Sequence, residues 1–413
     1  VAKLQADGID VIVADHHEPG EAGRPPAVAV VNPKLGDDHG YLCSAGVVFK
    51  IAHALMKTRE LEGFDLKDVL DLVAVGTIAD IVPLVDENRL LVRHGLQRLP
   101  KTGNEGLRAL MHVTGMNGRA TSADVGFRIG PRINAAGRMD APEDGLAALL
   151  AETPREAKSK AELLDSYNRR RQKCEVEMFD EAMAQLRESH DPANDAAIVV
   201  GSRNWHPGVV GIVASRLMRA FHKPSFVVAI DEDGLGKGSG RSIEGVSLVN
   251  VIDACREDLV AGGGHHMAAG ISIMEDRMDV FREKFFQFVL ETTTEEQRRP
   301  RLNVDVEVPF EDLSLDFLAS YELLQPFGAQ NPQPVFMSRG VWLTEPPKHL
   351  KNKHLKLFLR QGVVEHDAIF FGAGDRELPD PPWDLAFTID RNEFRGRTSL
   401  QLTVRGVRAS TVD

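Results

Sequence analysis

At 413 residues the chain exceeds one ordinary hydrophobic core and predicts two or three domains. Its 43% hydrophobic and 27% charged residues exclude a disordered chain, and no uninterrupted apolar run approaches the roughly 20 residues of a membrane helix. The net charge of −12 argues against a uniformly basic nucleic-acid binder but leaves room for a local basic groove, and a divalent-cation site itself adds carboxylates.

The opening Val1-Ala2-Lys3-Leu4 reads as the middle of a helix, with no initiator Met and no signal-peptide pattern, so the natural front end is expected to be missing. Residues 1–150 alternate apolar strands with helical stretches, the pattern of a largely parallel α/β sheet. Asp10 to Ala14 is a short strand, and Ala27 to Val31 is another, ended by Asn32-Pro33. Residues 46–57 and 66–80 have helical spacing of apolar positions. Residues 151–192 contain a long polar helix with a narrow apolar stripe at Leu164, Tyr167, Val176, Phe179, Met183 and Leu186, placed to connect two domains. Its Arg169-Arg170-Arg171 run is read as a solvated face in preference to a phosphate track.

A second α/β unit, 193–297, begins with the strand Ala196 to Val200. After a charged linker, residues 300–413 carry short strands at Val304 to Val308, Leu355 to Leu359, Ala386 to Ile389 and Leu400 to Val404, which predicts a small β-barrel. The fold class expected is therefore α/β with a terminal barrel. Cys43, Cys174 and Cys255 lie far apart with no CxxC pair, which opposes a disulfide framework or a thiolate zinc site and fits the reducing cytoplasm.

Asp15-His16-His17 follows directly on the first strand. Ligands in open α/β sheets bind beyond the carboxyl ends of strands, and a carboxylate with two imidazoles can hold a divalent cation. Alone, the tripeptide fits a polar turn equally well. Asp80 is the single charge in the apolar run Leu72 to Leu84, and a buried carboxylate there needs a partner. A metal ion is one such partner; a helix cap is the alternative.

With Gly76-Thr77-Ile78-Ala79-Asp80-Ile81-Val82-Pro83-Leu84, the Asp15-His16-His17 motif resembles the DHH phosphoesterase superfamily, and within it the RecJ single-strand-specific exonucleases. Further blocks follow in order. Arg132-Ile133-Asn134-Ala135-Ala136-Gly137-Arg138 is one, and the run from Trp205 to Arg216 is the next. Gly238-Ser239-Gly240-Arg241-Ser242 and Gly262 to Gly270 resemble the associated DHHA1 domain. Leu324 to Gly328 with Asn331 to Pro334 leads into an OB-fold. One departure is Gln330, where the family commonly has Gly.

The resemblance implies a DHH domain over 1–150, a DHHA1 domain over 193–297 and an OB-fold over 300–413. It implies single-stranded DNA degraded 5′→3′ to mononucleotides, in DNA repair and recombination, with two Mn²⁺ or Mg²⁺ ions. His16, Asp80 and Asp15 would be metal ligands and His17 would contact the scissile phosphate. The family's other ligands precede this sequence, so the two-metal site is expected to be incomplete and the fragment alone inactive.

Physical chemistry gives each block a role. Gly-rich turns let backbone N–H groups approach a phosphate, and Arg241 in its glycine-flanked turn can bind one bidentately. Ser239, Ser242, Gly264 and His265 are expected beside it, with Arg132, Asn134 and Arg138 from the first domain; Trp205 is read as core. Ser239, Arg241 and Arg138 could form a pocket for a 5′-terminal phosphate. In the barrel, residues 346–360 hold seven basic side chains and no acid. Lys351, Lys353 and Lys356, with Arg395 and Arg397, are expected to grip the strand, with Phe358 and Phe394 as stacking platforms. By resemblance a single-strand-binding protein and a helicase are partners, no membrane is involved, and the enzyme is a monomer. The competing readings are a DHH enzyme acting on short RNA or cyclic dinucleotides, and a catalytically inactive DNA-binding scaffold.

Overall fold

A computed structural model describes residues 1–20, 23–36, 40–59, 61–189, 191, 195–394 and 396–410. The chain divides into two compact units. The first comprises Val1–Thr102, Asn117–Phe127 and Leu302–Asp413; the second comprises Gly103–Met116 and Arg128–Arg301.

The first unit opens with two parallel strands, β1 (Ile12–Ala14) and β2 (Ala29–Val31), paired from Ile12↔Ala29 to Ala14↔Val31. Both predicted strands exist, each shorter at its front. From Ser44 to Leu149 the described elements are all helical, so the alternation expected over 1–150 is confined to its beginning. Helices Ser44–Thr58, Leu70–Ala79 and Asp86–Arg98 follow. Leu42, Val47, Leu70, Val73 and Leu91 form their core. Helices Leu70–Ala79 and Asp86–Arg98 approach at Gly95, where an added Cβ would lie 2.1 Å from Leu70 O and 2.5 Å from Ala74 Cβ. Any side chain there would drive the two helices apart.

In the second unit, helix Pro154–Ser189 packs along helices Glu105–Val113 and Gly130–Met139. Its buried seam is Ala157, Ala161, Leu164, Met178, Ala182 and Leu186, whereas Val176, expected inside, is half exposed. Small alanines let the neighbouring helices approach closely, which apolar periodicity alone does not weigh. The sheet of this unit has the order β3 (Ile198–Ser202), β4 (Ser225–Ile230), β5 (Leu235–Arg241), β7 (Ala268–Met274) and β6 (Ala261–Gly264). Only β3–β4 is parallel. Phe226, Phe281 and Phe285 fill one face, and Trp205, Val213 and Leu217 lie on the other.

The chain then returns to the first unit as a seven-stranded sheet. Its strands are β8 (Val306–Glu307), β9 (Phe336–Leu343), β10 (Lys348–Leu350), β11 (His354–Gln361), β12 (Val364–Phe370), β13 (Trp383–Phe394) and β14 (Arg397–Ala409). The order is β10-β11-β12-β14-β13-β9-β8, and an extra β11–β9 pairing at Leu359↔Leu343 closes the barrel. Closure removes the open edges that a sheet of this size otherwise exposes. Leu357, Leu359, Trp383, Leu385, Phe387 and Leu402 fill the interior. Gln330 adopts φ +56° within the 328–331 turn, the left-handed conformation for which glycine is the common residue.

Candidate metal centre and anion site

Strand β1 delivers Asp15, whose N–H still bonds to Val31 O at 3.1 Å and continues the ladder. One oxygen, Asp15 Oδ1, accepts from His16 N (2.8 Å), His17 N (3.3 Å) and His17 Nδ1 (2.8 Å). The His17 ring, and then the two backbone N–H groups, hold the Asp15 carboxyl below its ordinary range against the effect of burial. The Asn32 amide ties the loop down by donating to His17 O at 2.9 Å. Ligand atoms of Asp15, His16 and His17 all lie within 4.8 Å of one another.

Asp80 joins this cluster, with Oδ2 at 3.2 Å from His16 Nε2. The partner expected for Asp80 is present, but the expected burial is not: its side chain is 43% exposed. The buried acid of that helix is Asp71 instead. Asp80 is the C-cap of helix Leu70–Ala79, which rules out the stabilising cap role, because a carboxylate at a helix C-terminus faces the negative end of the dipole. A carboxylate in that place is stabilised by a cation. The donor set of carboxylates and imidazoles suits a divalent cation, and it lacks the thiolates of a structural zinc site.

A second cluster lies wholly within the other unit. The Gly238-to-Ser242 segment, expected as a turn, is largely the end of strand β5. Arg241 Nη1 donates to Ser239 Oγ (2.9 Å) and to Gly240 O (2.7 Å). Gly211, in the first turn of helix Val210–Phe221, covers this pair; a Cβ there would meet Ser239 Oγ at 3.0 Å and Arg241 Nη2 at 3.1 Å. Arg138 Nη1 donates to Gly208 O at 3.3 Å. Neither Arg138 nor Arg241 has a carboxylate partner among the described residues. Burial holds both guanidiniums below their ordinary value, and Arg171 adds repulsion at Arg138 as Arg138 does at Arg241. Cations gathered without a counter-charge make an anion site.

The remaining candidates divide. Gly264 pairs with Ala269, which pairs with Gly240, so Gly264 and the exposed His265 sit at the same end of the sheet as Arg241. Asn134 is exposed on the helix that carries Arg138. Arg132 is instead committed to Asp165 (2.8 Å) and to Arg128 O (2.7 Å). Ser242 is buried and donates to Val246 O, a structural bond. Trp205 is core, with Nε1 donating to Glu181 at 2.8 Å. In the 169–171 run, Arg169 pairs with Asp165 and Arg171 with Glu175.

On the barrel, Lys348 and Lys356 lie over the Phe358 ring at 4.3 and 4.9 Å, and Lys356 also pairs with Asp367 at 2.8 Å. Lys351 and Lys353 are exposed in the β10–β11 turn. Arg395 lies outside the described residues, as do the side chains of Arg397 and Phe394. Sequence reasoning did not single out Arg171 as a neighbour of Arg138; helical spacing alone does not reveal which arginine of a run turns inward.

Comparison with known proteins identifies three domains. Residues 1–77 match the DHH family, N-terminal domain; 194–291 match the DHHA1 domain; and 304–406 match the RecJ OB domain. The Single-stranded-DNA-specific exonuclease RecJ of Bacillus subtilis is 37% identical over 98% of this chain and 51% of its own length. The chain thus spans about half of that relative. The RecJ of Dickeya dadantii is 37% identical over 96% of this chain and 73% of its own. The crystal structure of Thermus thermophilus RecJ in complex with Mn²⁺ superposes with TM-score 0.84 at 32% identity, covering 100% of this chain and 60% of that one. With its three domains in this order and such identity across nearly its whole length, the chain belongs to the RecJ family.

Proposed function

We propose that this chain is the greater part of a divalent-metal-dependent exonuclease that degrades single-stranded DNA from its 5′ end. The observation that carries the reading is the Asp80 carboxylate, 3.2 Å from His16 at a helix C-terminus beside Asp15 and His17. Relatives named as single-stranded-DNA-specific exonucleases, and a neighbour bound to manganese at 37% identity, TM-score 0.60 and coverage of 72% of this chain, support it.

His16, Asp80 and Asp15 would hold the metal, leaving Asp15 Oδ2, which accepts no bond from described residues, as a ligand atom. When bound, divalent cations supply hydroxide near neutral pH and offset the charge that builds on the phosphoryl group. Asp15 orients His17 through the 2.8 Å bond to Nδ1, which leaves the exposed Nε2 edge for a phosphate oxygen. Arg241, Ser239 and Arg138 take a 5′-terminal phosphate, whose second negative charge suits uncompensated guanidiniums. Lys351, Lys353 and Lys356 bind the backbone beside the Phe358 platform. The reading includes Mn²⁺ or Mg²⁺ as the ion, a monomeric enzyme in the cytoplasm, and a single-strand-binding protein and a helicase as partners.

The test uses the full-length protein with end-labelled single strands and blunt duplexes, each with and without EDTA. Release of the 5′ label from single strands alone, abolished by EDTA, is expected. Equal digestion of blunt duplex, or activity that survives chelation, refutes the reading.

A further inference from the structure

The first unit contains a cavity of about 820 Å³ that the chemistry above does not use. Ile78, Ile81, Phe127, Leu302, Phe327 and Val335 give it apolar walls. Ile81 and Phe127 are 76% and 82% exposed, unusual for side chains of this size. Ile81 also holds φ +58°, a left-handed conformation strained for a β-branched residue.

The floor is polar. Thr388 lines it at 1% exposure, and its hydroxyl has no hydrogen-bond partner among the described residues. A buried hydroxyl without a partner is costly, and a ligand that reaches it by a small shift of the side chains covering it recovers that cost. Asp390 sits beside it, accepting from Gln333 Nε2 at Oδ1 (3.3 Å) and from Thr403 Oγ1 at Oδ2 (3.1 Å). Each carboxylate oxygen can accept two bonds, so capacity remains at both. Arg405 Nη2 donates to Gln333 Oε1 at 3.2 Å and has no carboxylate bonded to it among the described residues. At the rim, exposed Arg93 makes no hydrogen bond or ion pair among the described residues.

We propose that this cavity holds one nucleobase of the bound strand, its ring between the apolar walls and its polar edge on Thr388, Asp390 and Gln333. The inference rests on the single-strand reading given above. A flat heterocycle with a hydrogen-bonding edge matches apolar walls over a polar floor, and Arg93 at the rim suits the adjoining phosphate. The floor is tolerant of base identity. A hydroxyl donates or accepts, and a carboxamide offers both an acceptor and donors, so different bases can pair with the same groups. The cavity also adjoins the metal cluster along one helical turn: Thr77, Ile78 and Ile81 line it, while Asp80 between them meets His16. A seated base therefore fixes the strand relative to Asp80.

The test measures binding without cleavage. Fluorescence anisotropy in EDTA reports the affinity of the full-length protein for single strands in which one abasic site is moved stepwise along the sequence. One position should bind roughly tenfold or more weakly than the intact strand, as expected for the loss of one stacked base. In Thr388→Val and Asp390→Ala the penalty at that position should shrink several-fold, because the polar edge loses its partners while stacking on the apolar walls remains, with melting temperatures confirming that the variants fold. Should Asp390→Ala fail to fold, the isosteric Thr388→Val alone decides. Uniform tolerance of abasic sites in wild type, or a weak position unchanged in the variants, overturns the cavity's role and leaves the exonuclease reading standing. Absence of any single-strand binding overturns both.

Discussion

Replacing Arg241 should pull activity and stability in opposite directions. In the free protein its guanidinium is surrounded by Ser239 Oγ, Gly240 O, Gly211 and Arg138, with no carboxylate bonded to it among the described residues. Burial and the neighbouring Arg138 make its charge unfavourable until an anion arrives. Arg241→Met removes that charge while keeping much of the packing volume. The folded variant should gain on the order of 1 kcal/mol in urea denaturation, the low end for replacing a poorly compensated buried charge. On the function proposed above, the same change deletes a charge-assisted contact to the terminal phosphate worth about 1.5–3 kcal/mol. At about 1.4 kcal/mol per decade this is roughly a ten- to hundredfold loss in kcat/KM on 5′-phosphorylated strands. Strands with a 5′-hydroxyl should be slowed much less. Inorganic phosphate at about 100 times its Kd should stabilise wild type by about 2.7 kcal/mol and the variant hardly at all. If Arg241→Met slows both kinds of strand by one factor, or phosphate stabilises it as much as wild type, Arg241 does not read the terminus.

Asp80→Asn in the full-length enzyme should lower turnover at least a hundredfold while DNA affinity in EDTA stays within about twofold, since affinity comes mainly from Lys and Arg contacts to phosphates. More than a few per cent of residual turnover would show that Asp80 is not a metal ligand. Lys351→Ala with Lys353→Ala should raise KM with little change in kcat and flatten the salt dependence of binding by about 0.7 per lost phosphate contact. An unchanged salt slope removes the barrel from the DNA path. Asp258 is buried, and its bonds to Lys284 and then Arg277 hold its carboxyl below the ordinary range, so the stability it contributes is complete above about pH 4 and disappears as pH falls through its depressed value. Asp258→Asn should therefore cost about 2 kcal/mol at pH 7 and progressively less in acid; a difference that grows on acidification contradicts this pairing.

The residues that gather at the candidate metal centre were legible in the sequence because they follow local rules. Asp15-His16-His17 ends a strand, and Asp80 interrupts an apolar helix, so a short window displays both. The barrel was legible from strand spacing, and Gln330 from its place in a glycine position. Three-dimensional partners were not. Arg132 and Arg138 close the same motif, yet Asp165, on a distant stretch of helix Pro154–Ser189, neutralises Arg132 and leaves Arg138 uncompensated. Ser239 and Ser242 lie on either side of one arginine, but Ser239 shares a face of strand β5 with Arg241 and bonds to it, whereas Ser242 follows the end of the strand and donates to Val246 O. The cavity floor draws Gln333, then Thr388 and Asp390 of β13, and Arg405 of β14 from three segments that meet only when the barrel forms. Periodicity and motif record what each residue's neighbours in the chain require, whereas charge compensation depends on which distant side chain arrives within about 4 Å, and only the tertiary structure decides that.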